Sequence, residues 1–309
     1  MPPGTAQRTG NHHTAQRWAA FLRKSGHRVR IEEAWDGAGA DVMIALHARK
    51  SAESAERFHR VHPERPLIVA LTGTDLYRDI ETSAEARHAM EIASRLIVLQ
   101  PRGRLQLARP LRAKTRVVFQ SADTRLTQKP VKTRFRLIVV GNLREEKDPF
   151  RAVMALARLP SRRAVELLQV GASLSPDMAR EARRWMREEP RYRWVGSRAH
   201  GETLRLMASS HVLVVSSVME GGANVICEAS RIGVPVLASR VSGNLGMLGA
   251  DYPGYYPLFG EGRLARLIDR AAGERPFYAD LKRRVWAQRG AFAPAAEHRA
   301  LVGVLAELA

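Results

Sequence analysis

Two glutamates, Glu220 and Glu228, lie eight positions apart around a Gly221-Gly222 turn. A buried apolar run precedes the turn and an amphipathic stretch, Ala223–Ile232, follows it. Because eight positions are just over two helical turns, the spacing predicts that Glu228 projects from the face that begins near Glu220. Glycines at a helix start let a phosphate approach free backbone N–H groups, and the carboxylates can accept hydrogen bonds from sugar hydroxyls. The pattern indicates a site for a phosphate-linked sugar; an acidic cap followed by a solvated glutamate is the alternative.

A basic loop follows the apolar run Phe135–Gly141. It reads Gly-Asn-Leu-Arg-Glu-Glu-Lys-Asp and carries Arg144 and Lys147. At the end of a strand these side chains could clamp a diphosphate, the arginine as a fork and the lysine as a point charge. Asp148 and Pro149 predict the cap and first residue of the next helix. A solvated loop is the alternative, since a lysine five residues beyond a glycine is a weak pattern.

The first half of the chain also places polar residues where predicted strands end or helices begin. Thr14 opens a predicted helix after a glycine-containing segment, which indicates a second anion site, or simply a helix cap. Three hydroxyl-bearing residues and an acid lie within Thr72–Tyr77, and this density favours substrate contact over a plain turn. His47 and Arg49 directly follow the predicted strand that ends at Leu46, which gives them the same geometry, although a lone histidine is more often structural. The candidates on this side are Asn11, Thr14, His47, Arg49, Thr72, Gly73, Thr74 and Asp75.

A glycine-rich segment, Ser239–Gly249, follows the apolar run Val234–Ala238. Glycines recur at every third residue from Gly243 onward, so we predict a loop that a ligand can approach closely. Its position in the sequence places it beside the two-glutamate segment. Gly243 and Asn244 are its candidate ligand-binding residues.

Short apolar runs alternate with amphipathic stretches along nearly the whole chain. Runs of four to six apolar residues without alternation are typical of parallel strands buried on both faces, and strand–helix alternation predicts a doubly wound α/β fold. The predicted strands are Arg28–Ile31, Asp41–Leu46, Leu67–Leu71, Leu96–Leu99, Thr115–Gln120, Phe135–Gly141, Ala164–Val170, Tyr192–Val195, His211–Ser216 and Val234–Ala238. The predicted helices are Thr14–Lys24, Ser51–Val61, Ser83–Ala93, Arg102–Pro110, Asp148–Arg158, Ser175–Glu189, His200–Ser209, Ala223–Ile232, Gly262–Ala272, Phe277–Gly290 and Pro294–Leu308.

A polar segment with Pro130, Asp123–Thr133, interrupts this alternation and is predicted as a linker. It separates two Rossmann-like domains, whose strand ends are predicted to face a cleft. The N-terminal domain is predicted to comprise residues 1–128, and we expect either that it lacks its first strand or that this sequence begins downstream of that strand. The C-terminal domain comprises residues 134–290, and residues 291–309 are predicted as a helix that packs back on the N-terminal domain.

The charge is +19, from 50 Lys and Arg against 31 Asp and Glu. Divided at residue 132, the chain has 23 cations against 13 anions before and 27 against 18 after, so the excess is not a basic tail. Nucleic-acid binding, a cleft for phosphorylated substrates and a generic arginine-rich surface all fit this composition.

Several classes of site are excluded or unsupported. The single cysteine, Cys227, excludes an internal disulfide and a cysteine-rich metal site. Metal-binding, P-loop, hydrolase and dinucleotide motifs are absent, so neither a metal nor a cofactor is expected. No apolar run approaches the roughly 18 residues of a membrane span, and the first 16 residues lack an apolar signal core, so we expect a cytoplasmic protein without a membrane partner.

The two-glutamate turn, the basic loop and the Pro235–Ser239 strand resemble the C-terminal half of GT-B glycosyltransferases that use nucleotide-sugar donors. More particular segments resemble the selenosugar synthases of selenoneine biosynthesis, and the likeness spans nearly the whole chain. Those segments are Gly10-Asn11-x-x-Thr14-Ala15-x-Arg17-Trp18, Ala45–Arg49, Leu71–Asp79, Asn142–Pro149, Met219–Asn224 and Gly243–Gly249.

The resemblance implies transfer of a sugar from a UDP-sugar, such as UDP-N-acetylglucosamine, to selenophosphate, which forms a C–Se bond. It implies that Glu228 accepts from the ribose hydroxyls, that Glu220 and the following amides hold the hexose, and that Lys147 binds the diphosphate. Asn142 stands where the superfamily has an arginine, so that role passes to Arg144. The implied catalytic residues are Glu220, Lys147 and Arg144, and the implied donor-binding residues are Glu228, Gly221, Gly222, Ala223, Asn224, Gly141, Asn142, Gly243 and Asn244.

Two alternatives stay open at the level of sequence. The first is a GT-B glycosyltransferase with a hydroxyl or thiol acceptor. The second is a non-enzymatic protein that binds nucleic acid through its positive charge, although no recognition helix, zinc-finger spacing or aromatic-interleaved basic stripe supports it. The preferred donor sugar, the configuration of the product and the oligomeric state are not specified by the sequence.

Overall fold

The computed structural model describes residues 10–160 and 164–308. They form two compact units. The described part of the first unit comprises residues 10–121, Glu220–Asn224 and residues 294–308, and the second comprises Ala122–Met219 and Val225–Ala293. The expected absence of a first strand concerns residues 1–9, which lie outside the described residues.

The first unit is built on a four-stranded parallel sheet in the order β1-β2-β3-β4. Residues of β2 alternate between the two faces: Val69 packs with Phe58 on one side, and Ile68 packs with Trp18 and Leu301 on the other. Burial on both faces explains why this strand shows no polar alternation. The strands are β1 (Met43–Leu46), β2 (Leu67–Leu71), β3 (Arg95–Val98) and β4 (Thr115–Val117), and the helices are α1 (Gly10–Lys24), α2 (Ala52–Val61), α3 (Ile80–Thr82), α4 (Ala84–Ile92), α5 (Arg109–Ala113) and α13 (Pro294–Ala306).

The second unit is built on a six-stranded parallel sheet in the order β10-β9-β8-β5-β6-β7. Strand β5 pairs with β6 on one side and with β8 on the other, so the strand order reverses there. The strands are β5 (Phe135–Val140), β6 (Val165–Val170), β7 (Tyr192–Trp194), β8 (Val212–Val215), β9 (Val236–Ser239) and β10 (Tyr255–Tyr256). The helices are α6 (Arg151–Ala157), α7 (Pro176–Glu188), α8 (His200–Ala208), α9 (Asn224–Ile232), α10 (Ser242–Leu248), α11 (Glu261–Gly273) and α12 (Arg275–Ala287).

Two predicted elements of the first unit are wrong. Arg28–Ile31 forms no strand, and the carbonyl of Val29 accepts a hydrogen bond from the Arg23 side chain instead. The predicted helix Arg102–Pro110 divides into a 3-10 turn, Pro101–Gln106, and α5. Leu107 and Ala108 are extended, with ψ of 150° and 151°, and separate the two pieces, while Pro110 is accommodated in the first turn of α5.

The glycine-rich segment predicted as a loop contains α10, which ends at Gly249 with φ 88°. Glycine suits that left-handed end, so here it terminates a helix and does not mark a loop. The prediction that Asp148 caps α6 is also wrong, because α6 begins at Arg151 and Asp148 itself has φ 42°.

The segment predicted as a linker belongs to the second unit. The backbone N–H groups of Gln128, Lys129 and Val131 donate to the carbonyls of Ile232, Ala208 and Ser209. None of the described helices has the length and apolar character that a membrane crossing requires.

Glu297 of α13 is the centre of a buried hydrogen-bond cluster in the first unit. Its carboxylate accepts from Arg17 Nε at 2.7 Å and from Trp18 Nε1 at 2.7 Å, both on α1. It also accepts from the backbone N–H and hydroxyl of Ser121 at 2.7 and 2.5 Å. Its side chain is fully buried, so these donors replace the water that the charge loses. One carboxylate therefore joins the C-terminal helix, the first helix and the residue that ends the main segment of the unit.

We expect Glu297→Ala to lower the free energy of unfolding by roughly 3 kcal/mol, because the buried donors lose their acceptor. The control is Glu307→Ala, since Glu307 also pairs with arginines, Arg95 and Arg116, but is 37% exposed. That control should lower the free energy of unfolding far less, because water and salt screen an exposed ion pair. Denaturant unfolding followed by tryptophan fluorescence measures both. Equal losses in the two variants would contradict the role given to the buried cluster.

Candidate active site

The loop Gly141–Asp148 leaves the carboxyl end of β5, next to the point where the strand order reverses. Ligands in open α/β sheets bind at such points. A Cβ atom on Gly171 would lie 1.9 Å from the carbonyl oxygen of Gly141, so the glycine permits the close approach of two loop backbones. The Asn142 side chain accepts from the Ala172 N–H at 3.1 Å. Asn142 is thus engaged in holding the neighbouring loop.

The two predicted diphosphate-binding cations lie on this loop. Arg144 is exposed and Lys147 is half-buried, at the start and end of a 3-10 turn. Asp148 follows in a left-handed conformation, and its carboxylate accepts from Arg151 Nε at 2.8 Å. Arg151 also donates to Glu261 at 2.6 Å. Burial opposes its charge, but these two carboxylates outweigh burial and raise the pKa of Arg151. The end of the loop is therefore fixed by a permanently charged arginine.

Glu228 lies on α9, and its side chain is 12% exposed. Its carboxylate is 3.8 Å from Nδ1 of His200. Because α9 begins at Asn224 and Glu220 lies four residues earlier, only one of the two glutamates is on the helix. The prediction that both share a helical face is wrong.

The turn Glu220–Asn224 belongs to the first unit, with Glu220 and Ala223 buried. A Cβ atom on Gly221 would lie 2.4 Å from the carbonyl oxygen of Thr72, and one on Gly222 would lie 2.6 Å from Cβ of Leu99. Both glycines are therefore required for packing against the ends of β2 and β3. This reason for the Gly-Gly pair is independent of any ligand.

Gly243 and Asn244 are buried within α10. Asn244 Nδ2 donates to the carbonyl and hydroxyl oxygens of Ser239 at 2.9 and 3.1 Å. Its side chain is fully buried. Asn244 thus has a structural contact, and direct donor binding by it stays a prediction.

In the first unit, Asp75 joins the loops that follow β1 and β2. Its buried carboxylate accepts from the N–H groups of Thr72 and Gly73 at 3.0 and 2.7 Å, and from that of Ala48 at 3.0 Å. It is fully buried. Asp75 therefore shapes the two loops that carry the other candidate residues, and its oxygens are occupied by backbone donors.

His47 has φ 77°, which is unusual for a residue with a side chain. Its Nδ1 accepts from the Lys50 N–H at 3.3 Å, and its Nε2 lies 3.0 Å from the Thr74 hydroxyl. Since Nδ1 accepts, Nε2 carries the proton and donates to Thr74, so His47 is not placed to deprotonate that hydroxyl. Burial lowers the pKa of His47, and the charge of Asp75 only partly offsets this. The ring is a neutral donor.

The remaining predicted residues of this unit differ in exposure and in the hydrogen bonds that they already make. Arg49 is half-exposed and donates to Asp79 at 3.2 Å. Thr14 is buried inside α1, donates to the carbonyl of Gly10 at 2.9 Å and accepts from Gln120 Nε2 at 2.6 Å. It therefore does not open the helix. Asn11 is half-buried in the first turn of α1.

Sequence reasoning missed the residues that hold these loops. Ser216, Ser239, Arg151 and Asp79 are distant in sequence from most of their partners, and their types are common on loops and surfaces. The signal that could have found two of them is a serine at the end of an otherwise apolar strand. Among the described residues, no group of three or more His, Cys, Asp and Glu side chains is placed to hold a metal ion.

Residues 122–285 match the glycosyl transferases group 1 family, more than half of the 309 residues. The chain belongs to the group 1 glycosyl transferases. The family match covers the loop with Lys147, the turn with Glu220 and the helix with Glu228. It places the predicted donor-side residues inside the region that defines the family.

Solved structures share the fold of this group 1 glycosyl transferase. HepE from Anabaena, solved with UDP and glucose, is 20% identical, with 86% of this chain and 78% of that chain covered and a TM-score of 0.72. Sucrose-phosphate synthase from Thermosynechococcus elongatus is 18% identical, with 99% and 81% covered and a TM-score of 0.72. A glycosyltransferase from Rickettsia africae is 13% identical, with 98% and 83% covered and a TM-score of 0.69. The predicted α/β fold of the GT-B class is confirmed.

The lowered pKa of His47 predicts a pH dependence of stability. Below the ordinary histidine pKa of 6.5 the unfolded chain takes up a proton that the folded chain resists, so stability falls with falling pH. We expect the stability advantage of the wild type over His47→Asn to be full above that pKa and to shrink below it. Asparagine tolerates positive φ and does not titrate. Denaturant titrations between about pH 5 and 8 measure this; an advantage that is constant or grows toward acid would contradict it.

Proposed function

We propose that this group 1 glycosyl transferase transfers a sugar from a UDP-sugar to selenophosphate and forms a C–Se bond. The observation that carries the donor half is that Lys147, Arg144 and Glu228 lie on elements that follow two paired strands of the second unit, β5 and β8. HepE, which shares the fold, was solved with UDP-glucose. The acceptor half rests on the resemblance of the Asn11–Thr14, His47–Arg49 and Thr72–Asp75 segments to selenosugar synthases.

On the donor side, Lys147 and Arg144 bind the diphosphate and Glu228 accepts from the ribose hydroxyls. Glu220 and the amides of the turn that follows it hold the hexose. An exposed arginine fork and a half-buried lysine suit two neighbouring phosphates, because the fork bonds bidentately and the ammonium acts as a point charge. A carboxylate on α9 suits neutral hydroxyls, which donate to it without charge repulsion.

On the acceptor side, the Thr72–Thr74 turn carries two threonine hydroxyls, and that of Thr74 lies 3.0 Å from Nε2 of the neutral His47. Arg49 supplies the positive charge for a phosphate-like anion. Asn11 and Thr14 are included through the family resemblance alone, since the Thr14 hydroxyl is bonded to Gly10 and Gln120. Asp75 is excluded from direct contact with an anion by its own charge and by its three backbone donors. We assign it to loop positioning.

The reaction needs stabilisation of a leaving group more than it needs a base. A selenium lone pair attacks the anomeric carbon, the bond from that carbon to the diphosphate oxygen breaks, and UDP leaves with the electron pair. Lys147 and Arg144 would stabilise the charge that develops on the diphosphate, as preorganised electrostatics. Selenium is a strong nucleophile without deprotonation by the protein, and a neutral histidine that donates from Nε2 agrees with that.

The decisive assay is incubation with UDP-N-acetylglucosamine and selenophosphate, followed by detection of UDP and of a selenium-containing sugar by mass spectrometry. Parallel reactions replace selenophosphate with inorganic phosphate, a thiol or a sugar alcohol. UDP release with selenophosphate, together with the selenosugar, is the expected result. UDP release only with a hydroxyl or thiol acceptor would reject the selenium acceptor and keep the UDP-sugar donor.

Glu228→Ala should reduce kcat/KM for the UDP-sugar by roughly 30- to 100-fold, since charge-assisted hydrogen bonds to the ribose are lost. The matched control is Glu202→Ala, because Glu202 also lies on a helix of the second unit but pairs with Arg198 at the surface. That variant should keep the wild-type rate. If the two variants lose activity equally, Glu228 does not bind the donor.

A further inference from the structure

The end of strand β8 holds the backbone of the basic loop at three consecutive residues. Ser216 Oγ lies 3.0 Å from the carbonyl oxygen of Lys147 and 2.8 Å from that of Asp148, and its single hydroxyl hydrogen is shared between the two. The N–H of Val218 donates to the carbonyl of Glu146 at 2.9 Å. The loop is therefore fixed at Lys147 itself and at the residue on either side of it.

Water cannot readily replace the Ser216 hydroxyl as the donor to these two carbonyls. Ser216 is 3% exposed, so water has little access to the two carbonyls if the hydroxyl is removed. Asp148 is also in the left-handed region, which is uncommon for a residue with a side chain, although aspartate tolerates it better than most. Loss of the hydroxyl would let the backbone at Lys147 and Asp148 relax toward commoner angles and move the ammonium group.

The residue next to Ser216 is itself held by a hydrogen bond from the end of β9. The carbonyl of this residue, Ser217, accepts from Ser239 Oγ at 2.6 Å, at the end of β9. Ser239 is fully buried and accepts in turn from Asn244 Nδ2 at 3.1 Å. The ends of β5, β8 and β9 are thus joined by side-chain hydrogen bonds in which each donor is itself buried.

We propose that Ser216 is a positioning residue that sets Lys147 for the diphosphate of the donor. The inference rests on the proposed function, in which Lys147 binds the diphosphate of a UDP-sugar. Ser216 has no contact with ligand in this proposal and acts only through the loop backbone. Its effect must therefore depend on the phosphates of the ligand and on the presence of Lys147.

The test is the affinity of the full chain for UDP and for uridine, measured by calorimetry. Ser216→Ala should weaken UDP binding by about 3- to 10-fold, the size of one or two ordinary hydrogen bonds converted to affinity. Uridine, which carries no phosphate, should bind as it does to the wild type. An equal loss for both ligands, or no loss for UDP, would overturn the inference.

The matched control is Ser210→Ala. Ser210 is equally buried, and its hydroxyl also donates to a backbone carbonyl, that of Leu206 at 2.8 Å, but it precedes the opposite end of β8. It should change thermal stability about as much as Ser216→Ala and leave UDP affinity unchanged. A loss of UDP affinity in Ser210→Ala as large as in Ser216→Ala would assign the effect to general stability and overturn the inference.

A double-mutant cycle with Lys147→Ala supplies the second criterion. If Ser216 acts through Lys147, the double variant should bind UDP no more weakly than Lys147→Ala alone, and additive losses would overturn the inference. Ser216→Cys, with a weaker donor of similar size, replaces the alanine variant if that variant unfolds and should show the same UDP-specific loss. A wild-type chain that binds no UDP would instead reject the proposed donor, and with it the reason for positioning Lys147.

Discussion

Parallel strand pairing is the constraint on which the candidate site depends. Every pair in both sheets is parallel, so all strands of a sheet end at the same edge and a loop must leave each end. The backbone N–H and C=O groups of those loops are not paired by hydrogen bonds between strands. Side chains supply the missing partners: Asp75 does so in the first unit and Ser216 in the second. Residues that bind ligand and residues that anchor the loops must therefore both lie at this edge of the sheet.

Both units meet this constraint with a strained residue beside a candidate ligand-binding group. His47 and Asp148 have positive φ without being glycine. Each sits where a strand-end loop turns toward a helix, and each is held by a polar contact from outside its own turn. Thr74 makes this contact with His47, and Ser216 makes it with Asp148. Such conformations persist where the surroundings over-determine them. The same hydrogen bonds also anchor the backbone at Lys147 and the hydroxyl of Thr74.

The strands that end at this edge could be predicted because burial on both faces requires a continuous run of apolar residues, as at Leu67–Leu71. The loops could be located for the same reason, since they follow those runs. Their anchoring could not, because Ser216 binds a loop about 70 residues earlier in the chain and a serine has no periodicity to reveal a partner. The helix α10 was missed because Gly243 and Gly246 have low helix propensity, which buried tertiary contacts override.

The excess of arginine acquires a physical reason that composition alone does not provide. Arg191 donates to the carbonyls of Leu156 and Leu159 as well as to Glu189, and Arg112 donates to two carbonyls of the preceding turn. A planar fork with five donors can close a loop on several acceptors at once, which an ammonium group does less well. These guanidinium groups bind the protein's own backbone. For Arg191 and Arg112 the fold itself therefore accounts for the choice of arginine, and the arginine count by itself does not indicate a nucleic-acid partner.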